Sequence, residues 1–118
     1  MSAQERLSSI NQAITDTRNK QFSAENKIKS LGPDTRKTLE AQRLSLQAEI
    51  NSGMGSFVEL DKLIDRQAEA DLKSKERDAA YSVWMSCRDT IRDLEKRREA
   101  LRDELDREMR ARVKLPTV

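Results

Sequence analysis

No histidine occurs in this chain, which removes the side chain most used for acid–base chemistry near neutral pH and the commonest nitrogen ligand for a metal. A single cysteine, Cys87, excludes an internal disulfide and fits a reducing compartment. With no imidazole to activate it, Cys87 reads as a small buried hydrophobe. Glycine is confined to Gly32, Gly53 and Gly55 and proline to Pro33 and Pro116, so chain reversals have few places to occur. Aromatics amount to 3% of the residues, too few for a round core built on large rings. No apolar run approaches the roughly 20 residues of a membrane span, and Met1 to Arg6 leads into no signal-like apolar stretch. The default is a cytoplasmic protein without a membrane span.

Charge of one sign is lacking as well. Lysine and arginine number 23 and aspartate and glutamate 21, for a net charge of +2. The signs interleave, and they do not create the concentrated positive field that a phosphate backbone attracts. The basic cluster Lys96-Arg97-Arg98, with Arg92, Arg102, Arg107, Arg110, Arg112 and Lys114, has acids among it and no aromatic to stack bases. Nucleic acid is therefore a disfavoured partner. Carboxylates such as Asp103, Glu104, Asp106 and Glu108 fan over several helix faces between arginines and read as a solvated surface. Neither a metal nor a cofactor is expected, and no catalytic residue stands out.

What is present is helical phasing. From Ser56 to Arg112 the chain contains neither glycine nor proline, and charged residues make up 37% of the whole against 36% hydrophobic, a balance typical of long helices and coiled coils. Disorder competes on mean hydropathy, −0.86, but the apolar residues are phased rather than scattered. Helices are expected at about 3–31, 35–51 and 57–112, with a disordered tail at 114–118 held out of the helix by Pro116. Ser2-Ala3-Gln4-Glu5 and Ser56-Phe57-Val58-Glu59 have the form of capping boxes.

The first helix places Leu7, Ile10, Ile14, Ala24, Ile28 and Leu31 at alternating steps of three and four, with Thr17 and Gln21 in the seam. Gly32-Pro33 ends it. The second carries Leu39, Leu46 and Ile50 on one face. In the third, Phe57, Leu60, Ile64, Ala68 and Leu72 form one stripe, and Ala80, Trp84, Cys87, Ile91, Leu94, Leu101 and Leu105 another, with Arg98 interrupting it. The stripe is expected to change phase through Lys73 to Asp78, as a stutter would. Acid-first pairs such as Asp93 with Arg97 support the last turns by about 0.2–0.5 kcal/mol each.

The fold expected is all-α: one domain, 1–118, forming a long antiparallel helical hairpin or coiled coil that reverses at Met54 and carries a Gly-Pro kink or break in the first arm. The arms would measure roughly 75 and 85 Å. A second reversal at Gly32, giving a three-helix bundle, is the alternative. A mirror register about Met54 places Leu7 near Leu101, Ile14 near Leu94 and Ala24 opposite Trp84.

A two-helix seam cannot cover the apolar cluster at Tyr81, Val83, Trp84 and Met85. These residues, with Phe22 and the tip residues Met54, Phe57 and Val58, are the candidate partner-binding positions, since Trp, Tyr and Met concentrate at interface centres. Gly53-Met54-Gly55-Ser56 ahead of a helix has the outline of an anion-binding turn, although a chain reversal alone accounts for its glycines.

In length and outline the expected hairpin resembles the long two-helix hairpins of the flagellar and type III secretion export apparatus, which insert into an ATPase ring as a stalk. It is similar in the same respects to phage assembly factors, tethering-complex subunits and adaptor coiled coils. The function expected is a non-enzymatic protein–protein interaction module: scaffold, adaptor or assembly subunit, with a protein partner or a homo-oligomer. The alternatives are a stalk- or chaperone-like component of a secretion or phage assembly, as the resemblance implies, and a weak nucleic-acid-binding helical protein.

Overall fold

The structure, a computed structural model, describes residues 2–113; the tail expected at 114–118, Lys114 included, lies outside them. The described residues form three α-helices and no strand: α1 (Ala3–Ser30), α2 (Arg36–Asn51) and α3 (Phe57–Val113). The chain divides into two compact units, Met1–Glu25 with Ser82–Val118, and Asn26–Tyr81.

Each helix starts and stops for a local reason. The Glu5 amide donates to Ser2 Oγ at 3.1 Å, and the Glu59 amide to Ser56 Oγ at 3.4 Å, so both serines expected to cap do accept an otherwise orphaned N–H. The end of α2 is a Schellman motif. Met54 N–H reaches the Glu49 carbonyl at 2.9 Å and Gly53 N–H the Ile50 carbonyl at 3.0 Å, with Gly53 at φ +85°. Gly55 is needed for a different reason: a Cβ there would lie 2.8 Å from the backbone nitrogen of Ile50.

The end of α1 is the same motif cut short. Gly32, at φ +72°, donates to the Lys29 carbonyl at 3.3 Å, but the following residue is Pro33, which has no N–H to complete the pair. Two arginines secure this break. Arg77 of α3 donates to the Gly32 carbonyl at 2.8 Å. Arg36 grips the Asp34 carboxylate through Nε at 3.0 Å and Nη2 at 2.8 Å, and its own amide donates to Asp34 at 3.1 Å. Asp34 thus takes over the capping that Thr35 does not perform through its side chain. The side-chain and backbone hydrogen bonds from Arg36 hold the Asp34 carboxyl well below the usual carboxylate range, with the Arg77 charge adding to them.

In the unit Met1–Glu25 with Ser82–Val118, α1 and the last part of α3 run antiparallel: Arg6 pairs with Glu104 at 3.7 Å and Arg18 with Glu95 at 3.2 Å. Both partners sit further along α3 than a mirror about Met54 places them. Such exposed pairs contribute about 0–1 kcal/mol each, so they report register more than they stabilise. The apolar seam does that work: Ile14, Ala24, Cys87, Ile91 and Leu101 are buried, and Leu7, Ile10, Thr17, Gln21, Trp84, Leu94, Arg98 and Leu105 are half-buried. These are the positions the sequence periodicity named.

In the unit Asn26–Tyr81, α2 lies against the first part of α3, again antiparallel, with Arg43 Nη1 donating to Gln67 Oε1 at 2.9 Å. Leu46, Ala70 and Ser74 are buried, and Leu39, Ile50, Leu60, Leu63 and Gln67 half-buried. Here the expected stripe of α3 is corrected. Leu60 faces the seam, but Phe57 is 72% exposed, Leu72 59% and Ile64 41%, and Ala68 is exposed too. The true seam steps through Leu60, Leu63, Gln67, Ala70 and Ser74, in regular alternation of three and four. It changes phase only where two three-residue steps follow one another, Ser74 to Arg77 to Ala80, which is a stammer rather than a stutter. Size explains the choice. Thr35 and Leu39, at the start of α2, share a groove with Ala70 and Lys73, and small side chains at Ala70 and Ser74 let α3 approach the interrupted backbone closely.

Candidate protein-interaction surfaces

The candidate partner residues fall in both units and are taken unit by unit. In Asn26–Tyr81, the turn between α2 and α3 projects Met54, 84% exposed, beside Phe57 and Val58, which the capped start of α3 holds outward. The Schellman geometry fixes this: once Gly53 has turned the chain, Met54 is C-terminal to the helix and its side chain has left the seam. Tyr81, at the end of the same unit, is also exposed.

In the other unit, Phe22 is 60% exposed on α1, and Val83 is exposed on α3. Trp84 occupies a seam position between Ala80 and Cys87 and is half-buried. Met85, expected to point away from the seam, is half-buried as well, so it contributes less accessible apolar surface than its helical position suggested. Cys87 is 5% exposed, as an inert core thiol would be.

Sequence reasoning missed several accessible apolar side chains. Leu44 on α2 and Met109 near the end of α3 are exposed, and Ile64 and Leu72 were assigned to the wrong face. The signal for the last two was present: stepping backward from Ala80 by three, then by alternating three and four, leaves both outside the seam.

The groove between α2 and α3 is lined mainly by Gln42, Ser45, Glu49, Glu59, Lys62 and Arg66. Ser56 accepts the Glu59 amide with its hydroxyl and the Leu60 amide with its carbonyl at 3.1 Å, as the capping residue of a helix does. Arg97 in the basic cluster is paired with Asp93 at 3.0 Å, and Arg98 is half-buried in the seam. Among the described residues no group of three or more histidine, cysteine, aspartate or glutamate side chains is placed to share a metal ion, and no helix is long and apolar enough to cross a membrane.

The residues described define an all-helical protein whose seams have coiled-coil spacing and whose candidate sites are apolar side chains on helix exteriors. Comparison with protein families, with characterised proteins and with solved structures finds no match to this chain.

Proposed function

We propose that this chain is a non-enzymatic helical interaction module, an antiparallel coiled-coil hairpin interrupted at Gly32-Pro33, that serves as a scaffold, adaptor or assembly subunit. The observation that carries the reading is the exposure of Phe22, Phe57, Val58 and Tyr81 on helices that already bury another face, and of Met54 in the turn between two of them. Large apolar side chains exposed in such number are the usual mark of a surface that meets another protein. Support for the hairpin comes from the inverse order of the helix contacts inside each unit, and from an arginine that bonds the interrupted backbone. A stalk- or chaperone-like part in a larger assembly is one form such a module takes.

The test is capture of partners from cell lysate by the tagged full chain, quantified against two variants. One carries Met54→Ser, Phe57→Ser and Val58→Ser; the other carries Tyr81→Ser and Val83→Ser. The expected result is loss of a defined set of captured proteins from at least one variant with helicity unchanged by circular dichroism. Equal recovery by both variants and the parent chain rejects these surfaces.

A further inference from the structure

The apolar side chains displaced from the seam of α3 are themselves ordered. Within Asn26–Tyr81, Phe57, Ile64, Ala68, Leu72 and Ala79 are all exposed, and at 3.6 residues per turn they share one face, about 120° round the helix from the seam. Their spacing is symmetrical about Ala68. Ile64 and Leu72 stand four positions to either side, Phe57 and Ala79 eleven. The two charged residues inside the stripe obey the same symmetry with opposite signs, since Asp61 and Lys75 stand seven positions to either side.

A helix face of this kind is complementary to itself when turned end for end. In a two-fold pair, residue i of one copy meets residue j of the other and the reverse holds simultaneously. With the axis at Ala68, Phe57 faces the small Ala79, Ile64 faces Leu72, Asp61 faces Lys75, and Ala68 faces its own copy. The large Phe57 meets a small residue, Ile64 and Leu72 form an apolar layer, and each charge inside the stripe meets its opposite. A parallel pairing in register would instead set Asp61 against Asp61 and Lys75 against Lys75, which is unfavourable. We infer that the outer stripe of α3 is the docking face for a second copy of this chain, antiparallel, with its two-fold axis at Ala68. The contact runs for about 33 Å, short for a permanent dimer, so association in the micromolar range is expected. The inference rests on the reading of the chain as an association module and names one of its partners.

Sedimentation velocity of the full chain over a concentration series tests it, with charge exchanges as the specific probe. Asp61→Lys and Lys75→Asp should each weaken self-association by about fivefold or more, and the double variant should restore it, because the facing pairs are then exchanged rather than lost. Ala68→Cys in a Cys87→Ala background should yield disulfide-linked dimer under mild oxidation, whereas Ala41→Cys, exposed on α2, should not. A chain that stays monomeric at every concentration, a double variant that remains as weak as the single ones, or cross-linking no faster through position 68 than through position 41 overturns the inference. The charge exchanges keep the native cysteine, so they decide the matter even if the cysteine variant fails to fold. A monomer that still captures partners through the turn residues refutes the dimer alone. Self-association with unchanged capture in both serine variants refutes those partner surfaces and leaves the dimer.

Discussion

Ile14→Ala should be among the most damaging truncations in the unit Met1–Glu25 with Ser82–Val118. Ile14 is 2% exposed, whereas Phe22, eight positions along the same helix, is 60% exposed. Removing three carbon groups from Ile14 forfeits about 0.8 kcal/mol apiece, or about 2.4 kcal/mol. A cavity adds to this where the surroundings cannot collapse; a seam between two helices yields easily, so a total of about 2.5–3 kcal/mol is expected. Phe22→Ala removes more atoms yet should change stability by no more than about 0.5 kcal/mol, because those atoms are largely hydrated already. Urea unfolding followed by far-ultraviolet circular dichroism separates the two. With a slope of about 1.3 kcal/mol per molar, the Ile14 variant should melt about 2 M earlier and the Phe22 variant within about 0.4 M of the parent. Protein concentration must be held constant, since self-association stabilises by mass action. Equal midpoint shifts for the two variants, or a larger one for Phe22→Ala, would refute the assignment of the seam.

Gly53→Ala forces a side chain into the left-handed region and should cost about 1–2 kcal/mol, visible as a lowered thermal midpoint, while Gly55→Ala should be worse because its obstacle is backbone. Asp34 is held below its ordinary value of 3.8, so the stability it confers is present above that value and lost as pH falls through the depressed one. Asp34→Asn should accordingly be less stable than the parent at neutral pH, with the gap closing in acid titrations below pH 3.8; a gap that is constant with pH would contradict the ionic grip of Arg36. Arg77→Ala strips the Gly32 carbonyl of its donor and should speed amide hydrogen exchange at Leu31 and Gly32 while exchange around Ile14 stays as it was.

Much of this architecture is legible in the sequence because α1 obeys a single rule. Leu7, Ile10 and Ile14, continued through Thr17 and Gln21 to Ala24, alternate at three and four, and Phe22 is the one larger hydrophobe in that stretch that falls outside the seam. The first part of α3 is harder for a definite reason. Phe57, Ile64 and Leu72 are more apolar than Gln67, Ala70 and Ser74, so hydrophobicity favours the outer face, yet the inner one must be narrow where α2 begins. The two consecutive three-residue steps at Ser74, Arg77 and Ala80 then hide the disagreement, since the two halves look like separate stripes joined by a polar stretch. The capping serines were readable as short motifs, but the donation of Arg77 to Gly32 was not: it joins residues 45 positions apart. The exposure of Met54, Phe57 and Val58 was legible because a glycine pair marks where side chains leave the helix, whereas that of Met85 depended on packing that spacing alone does not specify.

Cys87 gives the protein a built-in clock. It is the only thiol in the chain and is shielded in the native state, so an aromatic disulfide reagent can react with it only after the surrounding helices part. Under conditions where reclosing outruns labelling, the rate of colour release divided by that of an unfolded thiol gives the opening equilibrium directly. That number comes without an engineered probe and can be compared across every variant that keeps Cys87.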